Sequence, residues 1–257
     1  MNQYEKFKVT VEKYDLIPTG KNVLACVSAG KNSSAMLHLL NKYRQEKEFP
    51  LNIILFRYPP HVYEELDKKV LYWKEKGVNI TVLTPTTSDE ELDKTEDACH
   101  LCKDVRRELF QSYLKDNKIN LADIVLATGH GVWDLNAYLA EMNTWSKENL
   151  VSSNKRFIEL THRFFPKIKM DNGVTFIRPC IALNDTEVIS LLEQEHIPHQ
   201  EVSCRFEEER PKRLVFKHFL EENILFSYDE TFAALKKFCN LPTLDDFETL
   251  SFEEYLL

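Results

Sequence analysis

The sequence predicts an α/β fold of the Rossmann-like kind, a parallel sheet with helices on both faces, followed by a helical extension at the C-terminus. Short apolar runs alternate with stretches whose apolar residues recur at helical spacing. The first such run ends in a compact Ser/Gly/Lys/Asn turn that leads straight into a helix. Most later runs are followed by proline or glycine. A length of 257 residues suits one large α/β domain with an appendage, and 43% hydrophobic with 29% charged residues is ordinary for a globular chain.

Residues 3 to 14 read as a short charged helix within an N-terminal segment, 1 to 20, that Pro18-Thr19-Gly20 turns into the first strand. Val23 to Ser28 is that strand. Ser33 is expected to open a long helix, with Met36, Leu39, Leu40 and Tyr43 on its apolar face. Leu51 to Arg57 is a second strand, stopped by Pro59-Pro60; Val62, Leu66, Val70 and Trp73 share a helix face that Gly77 closes. Val78 to Leu83 is a third strand. Thr84 to Ala98 is polar and acidic and reads as a loop, delivering Cys99-His100-Leu101-Cys102 to a helix expected from Lys103. Leu121 to Ala127 is a fourth strand, ending in Thr128-Gly129-His130-Gly131, and helix follows through Leu135, Leu139 and Met142. Residues 144 to 170 interleave basic residues with Phe157, Phe164 and Phe165. Val174 to Ile177 is a fifth strand, closed by Arg178-Pro179-Cys180. Asp185 is placed as the cap of a helix carrying Val188, Leu191 and Leu192. Cys204 lies in the loop beyond, and 206 to 257 forms the helical extension. The domain itself is expected over 21 to 205.

A formal net charge of −8 argues against a generally sticky nucleic-acid binder, although not against a local basic patch. No apolar run approaches the ~20 residues of a membrane span, and Met1 to Lys8 lacks the apolar core of a signal peptide. A cytosolic location and no membrane partner are expected. In that compartment the six cysteines are expected as thiols or metal ligands, not disulfides.

Two stretches carry chemistry. Strand, polar turn and helix N-terminus make an anion site at Ser28 to Ser33, because backbone N–H groups and the helix dipole face the turn. Gly30 permits close approach, Ser28 and Ser33 add hydroxyls, and Lys31 adds positive charge. An ordinary βα turn is the plain alternative. The Cys99-x-x-Cys102 pair reads as two small buried hydrophobes, a redox pair, or half of a metal or iron–sulfur site. With no second C-x-x-C, Cys204 is the best third ligand: Cys26 sits inside a strand and Cys239 in a peripheral helix. The basic-aromatic stretch is the best nucleic-acid candidate, although a solvated helix face over a phenylalanine core describes it better.

In order and spacing, residues 10 to 205 resemble the PP-loop ATP pyrophosphatase superfamily, on its tRNA 2-thiolation, 2-thiocytidine-forming branch. Ser28, Gly30 and Ser33 match the S-G-G-x-D-S loop. Cys99-His100-Leu101-Cys102 with Arg106-Arg107 resembles C-x-x-C-x-x-x-R-R; Thr128-Gly129-His130 resembles the T-G-H turn; Ile177-Arg178-Pro179 resembles the I-R-P strand end. The resemblance implies an adenine nucleotide alpha hydrolase-like fold and a [4Fe-4S] cluster on Cys99, Cys102 and Cys204. It implies ATP and Mg²⁺ bound by Ser28, Gly30, Lys31, Asn32, Ser33, Thr128, Gly129 and His130, and catalytic roles for Asp134, Arg106 and Arg107. The activity implied is sulfurtransferase chemistry on tRNA, or on another thiolated nucleobase substrate, through an adenylated intermediate, with a sulfur donor as partner and a homodimer left open. The alternatives are a divergent protein that binds nucleotide or a partner, and a desulfurase that uses the cluster without ATP. Ala29 stands where the loop motif has Gly, and two further departures remove negative charge: Asn32 stands where the motif has Asp, and Trp133-Asp134 keeps only the second residue of an Asp pair.

Overall fold

The computed structural model describes residues 1–63, 65–144, 150, 155–201, 204–206, 211–238 and 241. Helix α1 (Gln3–Lys13) leads to β1 (Asn22–Val27), α2 (Lys31–Lys47), β2 (Leu51–Phe56), α3 (Leu66–Glu75) and β3 (Ile80–Leu83). Then come α4 (Asp89–Lys94), α5 (Ala98–Asp116), β4 (Ile124–Ala127), α6 (Val132–Met142) and α7 (Lys155–His162). The hairpin strands β5 (Lys167–Lys169) and β6 (Thr175–Ile177) precede α8 (Asp185–Gln194), α9 (Pro211–Glu221) and α10 (Tyr228–Phe238).

The strands form one six-stranded sheet in the order β3-β2-β1-β4-β6-β5, parallel except for the β5–β6 pair. The α/β expectation holds, with one more strand than expected. Lys167–Lys169 pairs antiparallel with Thr175–Ile177 across a turn at Gly173, and its basic ends hide a strand signal of three residues. Period-two alternation sorts the β1 side chains between two cores. Val23, Ala25 and Val27 pack with residues of α1, α2, α3 and α8, while Leu24 faces Phe110 and Leu114 of α5. A third core joins α6, α7, α9 and α10 around Trp133, Phe157, Phe164 and Leu235.

Local chemistry moves several boundaries. Helix α2 begins at Lys31 with Gly30 as its N-cap, two residues before the expected Ser33. The acidic loop holds the short helix α4, started by a Ser88–Glu91 capping box. Asp97 caps α5 by accepting the Cys99 and His100 N–H groups at 3.1 and 2.9 Å, so the Cys pair lies inside the helix's first turns, not ahead of it. Asn184, not Asp185, is the N-cap of α8. The basic-aromatic stretch is in part α7. There Phe157 and Phe164 are fully buried while Arg156 pairs with Glu141 and Glu159, the arrangement of a charged face over a phenylalanine core. Its residues 145–149 and 151–154 lie outside the described residues, as does Cys239.

Neighbouring strand β1 has β2 on one side and β4 on the other, so the chain order reverses there. In an open parallel sheet that reversal leaves a crevice at the strands' carboxyl ends. The Ser28 turn and the Thr128 turn both sit on it.

Candidate active site

The loop is built from its own hydroxyls. The Ser28 N–H donates to Ser33 Oγ at 3.2 Å, Ser33 Oγ–H donates to the Gly30 carbonyl at 3.0 Å, and Ser34 Oγ–H donates to the Ala29 carbonyl at 3.3 Å. No side chain caps α2, which leaves the N–H groups of its first turn for an anion. Ala29 holds φ at 57°, the left-handed region, at the position where the loop motif has glycine. Relief of that strain outweighs the entropy that glycine adds to the unfolded chain, so Ala29→Gly is expected to stabilise the protein by roughly 0.5–1 kcal/mol. Urea denaturation checks it, and a loss of stability would show that the turn is relaxed.

The T-G-H turn closes directly on this loop. A Cβ on Gly129 would lie 3.0 Å from the Asn32 carbonyl carbon and oxygen and from the Ser33 nitrogen. Only a glycine lets the two turns approach so closely. Half-buried His130 places Nδ1 3.1 Å from Thr128 Oγ1. Burial pulls its imidazole down to about 3, against the attraction of Asp134, so it is neutral at physiological pH. Its contribution to stability is intact above the ordinary imidazole value of about 6.5 and is lost as pH falls from there toward about 3, because the unfolded chain takes up a proton first. His130→Gln is expected to flatten that part of a stability–pH profile, and an unchanged slope would refute the assignment.

Asp134 is buried. Its Oδ2 accepts the Gly131 N–H at 2.9 Å, closing the N-terminus of α6, and its Oδ1 meets Lys212 Nζ of α9 at 2.6 Å. Lys212 and the turn's N–H outweigh burial and hold the carboxyl below the usual range. Asp185, at the start of α8, points at the loop from the other side. Its side chain is 2% exposed, with Oδ2 2.8 Å from Lys31 Nζ and Oδ1 3.5 Å from Asn32 Nδ2. Phe216 of α9 lies under both lysines, 5.6 Å from Lys31 Nζ and 5.3 Å from Lys212 Nζ. Two carboxylates and two lysines therefore surround one phosphate-type loop.

The cysteines approach the same crevice. Gln200 pairs with the loop, its N–H donating to the Ala29 carbonyl at 2.6 Å. A few residues on, Arg205 pairs with Asp93 of α4 at 2.7 Å, and the Phe206 ring packs on His61 at 5.9 Å. Cys204 thus lies between the phosphate-type loop and the elements around α5. Tyr63 is 4% exposed: burial pushes its hydroxyl up to about 12, Arg106 opposes that, and the Cys102 and Cys204 thiols add to it. Phe206 packs against the same apolar cluster as Cys102. Arg106 fixes this floor by donating through Nε and Nη2 to the Tyr58 carbonyl at 3.0 and 2.6 Å. Arg107 meets Asp104 at 3.2 Å on the α5 surface. His100 pairs with Asp104 at 3.3 Å, and His199 Nδ1 lies 3.3 Å from the Ile197 carbonyl oxygen. Among the described residues no three His, Cys, Asp or Glu side chains gather around a point suited to a single ion. A four-iron cluster is wider than an ion, so its ligands stand farther apart.

Arg178 is 1% exposed and donates to the Phe165 carbonyl at 2.8 Å beside the β5–β6 hairpin, and its charge reaches His130. Lys212, Phe216, Gln200 and Tyr63 carry no signal in the sequence, and Asp185 reads there only as a helix cap.

No family model matches the chain. It is 25% identical over 224 residues to tRNA-cytidine(32) 2-sulfurtransferase 1 of Francisella philomiragia, covering 82% of this chain and 78% of that one. It is 24% identical over 224 residues to tRNA-cytidine(32) 2-sulfurtransferase 2 of Francisella tularensis subsp. novicida, covering 82% and 79%. Among solved structures, the U34-tRNA thiolase NcsA from Methanococcus maripaludis, determined with its [4Fe-4S] cluster, superposes with a TM-score of 0.63 at 19% identity, over 91% of this chain and 77% of that one. That likeness is one of fold.

Proposed function

We propose that this chain is a tRNA-thiolating protein of the PP-loop ATP pyrophosphatase kind, and that its crevice activates a tRNA nucleobase with ATP and exchanges the base's carbonyl oxygen for sulfur. One observation carries the reading most. The segment that pairs with the phosphate-type loop through Gln200 runs on through Cys204 to Phe206, which packs against the same apolar cluster as Cys102 of α5. A nucleotide site and a three-thiol site then share one crevice.

The α2 N-terminus, Ser28, Gly30 and Ser33 would hold the departing pyrophosphate, with Lys31 neutralising charge as it develops on the phosphoryl oxygens. Thr128, Gly129 and His130 would line the same pocket. Neutral His130 can donate or accept one hydrogen bond but brings no charge. The base oxygen attacks the α-phosphorus, pyrophosphate leaves, and sulfur then displaces AMP from the base carbon. Asp134 would hold Lys212 toward the phosphates, and so acts through it. Arg106 would position the Tyr58 backbone beside the thiols, and Arg107, nearer the surface, would meet the RNA backbone. Three cysteine thiols without a histidine are a donor set that suits iron–sulfur ligation, so Cys99, Cys102 and Cys204 would hold the cluster. When bound, that cluster supplies the sulfur-delivering chemistry.

Product analysis tests the ATP half of this reading. With tRNA and Mg²⁺ the protein is expected to convert ATP to AMP and pyrophosphate. ADP and phosphate as the products would overturn it. Lys31→Met should lower the rate of that cleavage by roughly 10²-fold, the scale of removing one charge-stabilising donor. A loss under about threefold would remove Lys31 from the phosphate site.

A further inference from the structure

The loop carries Asn32 where its motif carries an acid, and the structure places a different carboxylate beside it. Asp185 comes from α8, and its carboxylate is 2% exposed and directed at the loop. It sits in the helix's first turn, where the dipole favours negative charge. Its neighbours on the loop are Lys31 Nζ at 2.8 Å and Asn32 Nδ2 at 3.5 Å. A second observation points outward from this pair. The other end of the Asn32 amide, Oδ1, is buried and has no hydrogen-bond partner. A buried carbonyl oxygen left bare is destabilising unless something positive reaches it. Next to it are a carboxylate and, within electrostatic range, the carboxylate of Asp134. Oxygen atoms of this kind are the ligands a hard divalent cation selects.

We infer that Asp185 together with Asn32 Oδ1 holds the divalent cation that accompanies the nucleotide, the acid having moved from the loop to the start of α8. The inference rests on the proposed nucleotide reading and names the group that completes it. In this structure Lys31 neutralises Asp185. With nucleotide and cation present, the cation takes over that neutralisation and Lys31 turns to the phosphates. The arrangement also explains why a βα loop without its own acid retains the serines, the lysine and the close glycine turn.

Calorimetry with ATP, with and without Mg²⁺, tests the inference on the full chain, and Mn²⁺ magnetic resonance gives a second readout independent of turnover. Wild type is expected to bind ATP at least ~10-fold more tightly with Mg²⁺, an increment of about 1.4 kcal/mol. Asp185→Asn should lose that increment and keep metal-free ATP binding, because Lys31 is released. Adding Asn32→Asp to Asp185→Asn should restore it by returning the acid to the loop. An Asp185→Asn protein that keeps the Mg²⁺ increment overturns the inference, as does one whose binding falls equally with and without Mg²⁺, which would mean that Asp185 only positions Lys31. Should Asp185→Asn not fold, Asn32→Asp alone decides: it should tighten Mn²⁺·ATP and make the melting temperature depend on divalent cation, and no change in either is contrary. ATP binding by wild type that ignores Mg²⁺ defeats this inference alone, whereas no ATP binding under either condition defeats the nucleotide reading with it.

Discussion

Cys204→Ala is expected to abolish iron binding as fully as Cys99→Ala, although the two residues lie a hundred positions apart. The pair in α5 is held by the Asp97 cap, which fixes the helix start and with it the spacing of Cys99 and Cys102. The third thiol is held from both directions. Gln200 ties the segment before it to the phosphate-type loop at 2.6 Å, and Arg205 ties the segment after it to Asp93 at 2.7 Å. Phe206, two residues beyond Cys204, packs against the same apolar cluster as Cys102. With only three cysteines to hold a cluster, removing any one leaves a pair, and a pair of thiolates does not retain a four-iron cluster. Iron and acid-labile sulfide measured after anaerobic reconstitution should fall to background in both variants, with loss of the visible absorbance. Cys26→Ala and Cys180→Ala, inside the sheet and the core, should keep both. Full iron content in Cys204→Ala would remove that residue from the site.

Gly131→Ala is expected to give the largest loss of stability of any one-methyl change in the crevice. A Cβ there would lie 2.8 Å from the Leu183 carbonyl oxygen, a backbone atom that cannot swing aside. That oxygen accepts the Val132 N–H at 3.0 Å, and the Gly131 N–H donates to Asp134 at 2.9 Å, so the methyl pushes apart two turns that these bonds hold together. Overpacking of this kind costs about 1–3 kcal/mol, or roughly 2–4 °C of melting temperature per kcal/mol in a chain of this size. Because Asp185 Oδ1 lies 3.9 Å from the same Cβ position, ATP affinity should fall as well. Gly77→Ala is the comparison: nothing stands within 4 Å, so only its φ of +73° resists the methyl, at about 1 kcal/mol and with no effect on ATP. Equal losses in the two variants would show that close approach at Gly131 does not matter.

The parallel core of the sheet was legible because β1, β2 and β4 are buried runs whose composition admits little else. Lys167–Lys169 was not, since both of its ends are lysines and its pairing comes from the hairpin at Gly173, not from any period. The start of α2 is hidden in the sequence because Asn32 and Ser33 read as turn residues, while the helix begins as soon as Gly30 can serve as its cap. Ser28 to Ser33, Thr128 to His130 and the cysteines stood out because their residue types are unusual at strand ends. Asp185 and Lys212 did not, for opposite reasons. An Asp beside a helix start is explained locally by capping, and a Lys in a charged helix is explained by solvation. Each gains its place in the crevice only when α8 and α9 fold back over the loop, a contact that no spacing in the sequence encodes.

Mass spectrometry of tRNA nucleosides tests the central claim most directly. The anaerobically reconstituted protein is incubated with tRNA, sulfide and Mg²⁺, with ATP or without it, and the tRNA is digested to nucleosides. The expected result is one nucleoside with sulfur in place of oxygen, formed only with ATP and matched by AMP in equal amount. Thiolated nucleoside formed equally well without ATP, or tRNA left unmodified by a protein that carries its full iron and cleaves ATP, would contradict the account.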